Sequence, residues 1–271
     1  MTQIQSGFEA TNLVFSYDGK PILKDINLKI NPGEFVCLLG ESGSGKTTLL
    51  NLLAGLTKPS EGSVCWNGKE IEKPSAERSV VFQDYTLFPW LTLLQNVSLA
   101  IKKTKKVKND YAKHLAEEYL NLVGLSGSLY KYPFELSGGM RQRGAIARAL
   151  SVGADALLLD EPFGALDPVN RASLQDLVLE LCRGSKDRAI TTLFVTHDIR
   201  EAVYLGSRII VLGSTPGRII ADIPLDFPVK KSRSEWFRNE KVQQTIAAIE
   251  EAYHKDILEK LGHVVQGGAS I

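Results

Sequence analysis

The chain has 271 residues, 44% of them apolar, enough for one large core or a core with attached subdomains, and it is neither fibrous nor disordered. Its 32 basic and 31 acidic residues nearly cancel, so no molecule-wide field marks a nucleic-acid binder, and such a role would need a local patch. Cys37, Cys65 and Cys182 lie far apart without a CxxC or Cys/His cluster, which argues against a zinc site or disulfide framework and fits a reducing cytosol.

In chain order, the opening MTQIQSGFEA lacks a basic region followed by an apolar run. No stretch approaches the roughly 18 apolar residues of a membrane span, so the expectation is a chain neither exported nor membrane-spanning by itself. Alternating apolar residues at 11–17 and 26–30, separated by the turn signal DGKP, predict an antiparallel strand pair. FVCLLG, residues 35–40, is a continuous apolar run of buried-strand type that leads through a glycine loop into a helical pattern over 47–54. SVVFQ (79–83), ALLLD (156–160), TLFVT (192–196) and RIIVL (208–212) are further buried strands with helical segments between them, the pattern of a parallel α/β sheet. Residues from about 84 to 150 break that rhythm and read as an inserted helical subdomain. After Leu212, STPGRIIADIPLDFP predicts a turn and a strand, followed by a final helix. In that helix Val242, Ile246, Ile249, Tyr253, Ile257 and Leu261 recur every three or four residues, Ser232 and Glu235 form a capping box, and Gly262 is the stop. Its apolar stripe must be covered, either by the chain's own domain or by a partner. The terminal QGGASI reads as loose.

GESGSGKTT, residues 40–48, fits G-x-x-x-x-G-K-[ST] with a strand before it and a helix after it, as that motif requires. Gly40, Gly43 and Gly45 let the backbone curl so that successive N–H groups, through Glu41, Ser42, Ser44 and on to Thr48, point inward at a phosphate. Lys46 then reaches the β- and γ-phosphates, and Thr47 offers a hydroxyl to Mg²⁺, which is held mainly by phosphate oxygens and water. ALLLDEP delivers Asp160 to the sheet edge, where a carboxylate holds Mg²⁺ through water, and places Glu161 to orient or deprotonate an attacking water. ELSGGMRQRGAIARAL, residues 135–150, raises a separate question: Ser137 and two glycines open a helix as if for an anion, yet no lysine follows.

With GESGSGKTT, LSGGM, LLLDEP and the TH of VTHD in this order, the chain resembles the nucleotide-binding subunit of ATP-binding cassette (ABC) transporters over roughly residues 8–220. The resemblance implies an α/β fold: a P-loop NTPase core with a mostly parallel sheet, a small antiparallel β subdomain, an inserted helical subdomain and a C-terminal helical extension. The expected division is 1–83 with 151–222 for the ATP-binding core, 84–150 for the helical signature subdomain and 223–271 for the extension. It implies a head-to-tail pair in which Ser137, Gly138 and Gly139 close on the γ-phosphate of ATP held by the other subunit. It further implies that Gln83 touches Mg²⁺ or the attacking water, that Ala165, Leu166 and Asp167 cross between subunits with Asp167 in contact, and that His197 hydrogen-bonds the γ-phosphate. Tyr17 stands where the family places an aromatic on adenine; a strand-face tyrosine is the other reading. Met140 replaces the glutamine of many members, a change expected to affect packing more than catalysis, since the Ser137 hydroxyl and the glycine N–H groups face the phosphate.

In importers of this family the stretch after the glutamine, here QDYTLFPWLTLLQNVSLA, meets a short coupling helix of the membrane subunit. Phe88, Pro89 and Trp90 are the coupling candidates, packing inside the helical subdomain being the alternative. FPWLT with PGRII and DIPLDFP resembles the importer branch for nitrate, taurine, aliphatic sulfonates and related solutes. The lysines of KKTKKVK, 102–108, read as a solvated loop, or as a weak attraction to an anionic membrane. The implied whole is an ATPase on the cytoplasmic face of the cell membrane. Its cofactors are ATP and Mg²⁺, and its partners are a second ATP-binding subunit, a membrane permease and, indirectly, an extracytoplasmic solute-binding protein, with no nucleic acid. The alternatives are a soluble ABC ATPase acting on nucleic acid, ribosomes or assembly partners, and a regulatory module for which the C-terminal helix is the only hint.

Overall fold

The computed structural model describes residues 7–84, 86–164, 166–183, 189–214, 216–227 and 232–267. The N-terminal alternation forms β1 (Phe8–Tyr17) and β2 (Lys20–Ile30), joined by Asp18 and Gly19 at φ 48° and 78°, the left-handed pair a two-residue hairpin needs. Both strands outrun the predicted spans because register shifts between Ala10 and Ser16 break strict alternation. β3 (Phe35–Gly40) and α1 (Lys46–Ala54) follow. Next come β4 (Glu61–Trp66) and β5 (Lys69–Glu70), turning at Asn67-Gly68, both at positive φ. The sequence reading omitted these two strands, which complete an antiparallel sheet of order β2-β1-β4-β5.

Beyond β6 (Arg78–Val81) lie α2 (Leu93–Lys105), α3 (Asn109–Leu122) and α4 (Gly138–Ser151). A reciprocal Thr92/Gln95 capping box starts α2. Lys102, Lys103 and Lys105 lie in its last turn, where positive charge suits the helix dipole, so three of the five lysines of the run are on the helix and not in a loop. The chain continues through β7 (Ala156–Asp160), α5 (Pro168–Arg183), β8 (Thr191–Thr196), α6 (Ile199–Leu205), β9 (Arg208–Leu212) and β10 (Ile219–Pro224). The second sheet runs β10-β9-β3-β8-β7-β6, parallel except for the antiparallel edge strand β10.

Alternate residues of β3 enter different cores, which is why its sequence is apolar throughout. Cys37 and Leu39 join Leu93, Val97, Leu120 and Ile146 of the inserted helices. Val36 and Leu38 join Leu49 and Leu53 of α1 and Leu13 and Ile26 of the antiparallel sheet. Parallel pairing in register, Leu39 with Thr196, Asp160 with Val195 and Val81 with Leu159, brings the C-terminal ends of β3, β8, β7 and β6 to one edge. Ligands bind at that edge in open α/β sheets.

The final segment departs from its predicted outline. Ser232 Oγ accepts from Glu235 N at 3.2 Å but starts only the four-residue α7 (Arg233–Trp236). A second cap, Asn239 Oδ1 accepting from Lys241 N at 3.0 Å, begins α8 (Glu240–Gly267), which continues past Gly262. Val242, Ile246 and Ile249 are buried in the same core as Tyr204 and Trp236, with Tyr253 packed against it, so this part of the apolar stripe docks on its own chain, whereas Ile257 is exposed and the Leu261 side chain lies outside the described residues.

Candidate functional site

Between β3 and α1 the loop turns through Gly43 and Gly45 at φ 83° and 94°. A Cβ on Gly40 would lie 2.5 Å from Ser44 Oγ and 3.1 Å from Leu212 O, so only glycine fits where the loop leaves the strand. Gly45 is the N-cap of α1 and supplies no side-chain acceptor, which leaves the first-turn N–H groups open to an external anion. Lys46 is buried, and its Nζ donates to Gly40 O and Glu41 O at 2.9 Å each. Burial lowers its pKa, opposed by the charges of Glu161, Asp160 and Glu41. The exposed loop face carries Glu41, Ser42 and Thr47, with Thr48 half-buried and Ser44 buried.

The acidic side stands opposite. Asp160 ends β7 only 3% exposed, and its Oδ1 has no hydrogen-bond partner. Burial raises its carboxyl pKa, partly offset by a hydrogen bond with the Thr47 side chain and the charge of Lys46. An orphaned buried carboxylate oxygen beside a hydroxyl is the donor set a hard divalent cation takes, so these residues fit Mg²⁺. Among the described residues no group of three His, Cys, Asp or Glu could cage an ion, so further ligands would have to come from a nucleotide and water. Glu161 follows at φ 44°, a left-handed backbone that glutamate rarely adopts and that functional sites often retain. Its Oε1 lies 3.9 Å from Lys46 Nζ and its Oε2 3.2 Å from His197 Nδ1.

The structure thus brings Lys46, Thr47, Asp160, Glu161 and His197 together at the sheet edge. Gln83 is exposed on the turn two residues beyond β6, and not at the end of the strand as predicted. Tyr17 is exposed at the end of β1, which favours the available-ring reading over a packed strand face. Ser137, Gly138 and Gly139 stand apart, at the start of α4. Ser137 Oγ caps that helix by accepting from Met140 N at 3.3 Å, and a Cβ on Gly139 would lie 2.7 Å from Leu166 Cδ2. Asp167 caps the next helix, accepting from Asn170 N at 3.1 Å and Asn170 Nδ2 at 2.6 Å; the Asn170 hydrogen bonds lower its pKa. Ala165 lies outside the described residues.

An exposed aromatic cluster was only half visible in the sequence. Phe88 and Trp90, the latter 69% exposed, have ring centroids 5.5 Å apart. Buried Asn96 fixes this turn, accepting from Phe88 N at 2.8 Å and donating to Leu91 O and Thr92 O at 3.0 Å each. Leu93 N and Leu94 N donate to Lys131 O and Leu129 O, which ties the turn to a second set, Tyr130, Tyr132 and Phe134. Tyr132 and Phe134 stack at 5.6 Å, and Phe134 is 75% exposed. The signal missed was YKYPF itself, three aromatics in five residues.

Comparison with known proteins follows the same outline. The chain is 48% identical to the bicarbonate transport ATP-binding protein CmpC of Synechocystis sp. over 79% of its own length and 32% of that protein's. It is 45% identical to the nitrate import ATP-binding protein NrtC of Synechococcus elongatus over the same shares, so it spans about a third of these relatives. A solved dimeric ATP-binding cassette, MJ0796, described as a post-hydrolysis state bound to ADP and Pi, is 32% identical, with TM-score 0.73 over 82% of this chain and all of that one. The family model described as ABC transporter matches residues 23–164, and the chain belongs to that family.

Proposed function

We propose that this chain is an ATP-hydrolysing subunit that works in pairs beneath a membrane permease and drives import of a small anionic solute. The observation that carries the reading is the meeting of Lys46, Glu161 and His197, within 3.9 and 3.2 Å, beside the glycine loop. In this reading the loop N–H groups hold the phosphates, and Lys46 exchanges its bonds to Gly40 O and Glu41 O for phosphate oxygens. Thr47, Asp160 and Gln83 would hold Mg²⁺, which would supply charge neutralisation for the phosphates. Glu161 orients and deprotonates the attacking water, while His197 fixes the Glu161 carboxylate and offers a donor to the γ-phosphate. Tyr17 takes the adenine.

The remaining pieces, Ser137 to Gly139 at the start of α4 and Asp167 at the start of α5, sit on other elements than this cluster. Ser137, Gly138, Gly139 and Asp167 act on ATP held by a second subunit, and the helices between residues 84 and 150 move with them as one subdomain. The aromatic cluster from Phe88 to Phe134 receives the permease's coupling segment. Among the described residues no helix is long and apolar enough to cross a membrane, which accords with a peripheral place on its cytoplasmic face. The relatives named for nitrate and bicarbonate support a small oxyanion as the solute.

Phosphate release by the purified chain tests the enzymatic half. Lys46→Ala should abolish nucleotide binding, and retained binding would overturn the reading of the loop. Copurification with a multi-span membrane protein tests the transport half; sedimentation with ribosomes or nucleic acid instead would favour a soluble ATPase.

A further inference from the structure

Two side chains of the segment after residue 231 reach the elements that carry the phosphate loop and His197. The first is Asp256 on α8, only 4% exposed although charged. Its Oδ2 accepts from Ser214 N and Ser214 Oγ at 3.1 Å each. Arg218 Nη2 forms an ion pair with Oδ1 at 2.9 Å. A Cβ on Gly213 would lie 3.0 Å from both carboxylate oxygens, so Gly213 and Ser214 lie closely against the carboxylate. Gly217, just before β10, leans on the phosphate loop. Gly217 N donates to Ile22 O at 2.7 Å, Gly217 O accepts from Lys24 N at 2.9 Å, and a Cβ on Gly217 would lie 2.1 Å from Ser44 O.

The second is Arg233 on α7. It lies over the Tyr204 ring, 3.9 Å from the centroid, and donates to Gln175 Oε1. Gln175 Nε2 donates to Glu201 Oε1 at 2.6 Å, and Glu201 Oε2 accepts from Thr196 Oγ1 at 2.5 Å. Thr196 Oγ1 in turn accepts from Asp198 N at 3.0 Å, which closes a small loop around His197. Between these two attachments a cavity of about 500 Å³ separates Gly40, Glu41, Ser42 and His197 from Tyr253 and His254 of α8. The extension therefore reaches the site by two routes, one hydrogen-bonded to the His197 turn and one that ends in the close approach of Gly217 to Ser44.

We propose that the C-terminal extension is a brace for the ATP site, with two positioning residues: Asp256 sets the phosphate loop through Ser214, Arg218 and Gly217, and Arg233 sets the His197 turn through Gln175 and Glu201. The proposal rests on the reading of residues 40–48 and His197 as the ATP site. The two routes have different kinetic signatures. ADP and ATP both use the phosphate loop, so the Asp256 route governs affinity for either nucleotide. ADP lacks the γ-phosphate that His197 meets, so the Arg233 route governs kcat and ATP affinity and leaves ADP affinity alone.

The test measures MgADP and MgATP affinity by calorimetry, and kcat and KM by phosphate release, on the full chain. Asp256→Ala should weaken both nucleotides about tenfold with kcat within about twofold, the scale of one hydrogen bond to a charged group. Asp256→Asn, which keeps the acceptor for Ser214, should recover most of that loss. Arg233→Ala should lower kcat about tenfold and leave ADP affinity unchanged. Should Asp256→Ala fail to fold, Ser214→Ala must show the same loss of affinity at about threefold. Lowered melting temperatures with unchanged affinities and kcat would overturn the brace while leaving the ATP site intact, provided Lys46→Ala fails to bind nucleotide. Normal nucleotide binding by Lys46→Ala would overturn the site reading, and the brace with it.

Discussion

Glu161 pays for its position in backbone strain, and that strain can be measured. Its φ of 44° puts an L-residue in the left-handed region, at about 1–2 kcal/mol. Glycine removes the strain but adds about 0.5–1 kcal/mol of chain entropy to the cost of folding. Comparing Glu161→Gly with Glu161→Gln cancels the loss of negative charge beside Lys46 and His197, which both variants share. The remainder is about 0–1.5 kcal/mol in favour of glycine, or up to roughly 5 °C in melting temperature for a chain of this size. Both variants should lose turnover by roughly 10² to 10⁴, the scale of a missing general base. Nucleotide-free calorimetric melting and phosphate release are the two assays. A Glu161→Gly protein that melts below Glu161→Gln would refute the strain argument, and turnover near the native rate in both would remove Glu161 from the chemistry.

Three further perturbations follow from particular contacts. Burial raises the Asp160 pKa, so the folded chain holds a proton that the unfolded chain releases; the stability from this group is complete below its ordinary value of 3.8 and is lost as pH rises through the folded value. Asp160→Asn should therefore melt higher at neutral pH, with the difference shrinking toward about pH 4, and should lose turnover; a difference independent of pH contradicts this. Gly217→Ala drives a methyl into Ser44 O and should cost about 1–3 kcal/mol in denaturant unfolding while weakening ATP binding; native affinity would separate Gly217 from the phosphate loop. Trp90→Ala with Phe134→Ala should leave the isolated chain's ATPase within about twofold and abolish its stimulation by reconstituted permease, since exposed aromatics act mainly at interfaces.

The strands of the parallel sheet were legible because β3, β7, β8 and β9 are buried on both faces and read as unbroken apolar runs. β4 and β5 were not, because only Val64 and Trp66 of β4 face the core and β5 is exposed throughout. The hairpin's one local signal was Asn67-Gly68. Gln83 was placed on a strand because Phe82 extends the apolar run, whereas pairing with β7 stops at Val81. The phosphate loop, the acidic pair and the histidine were readable from local motifs. Their convergence depends on which strand neighbours which, and no local pattern carries that. The same holds for Asp256, which looks like one more surface charge on an amphipathic helix until Ser214 and Arg218 are seen against it.

We propose that Ser137, Gly138 and Gly139, at the start of α4, complete a neighbour's site. Light scattering of the Glu161→Gln protein with and without Mg-ATP tests it most directly, with Ser137→Arg in the same background as the control. The account predicts that mass rises from one chain, 29.8 kDa, to two on adding Mg-ATP, and that the control stays at one. A protein that binds ATP yet remains a single chain, or a control that pairs as readily, would contradict it.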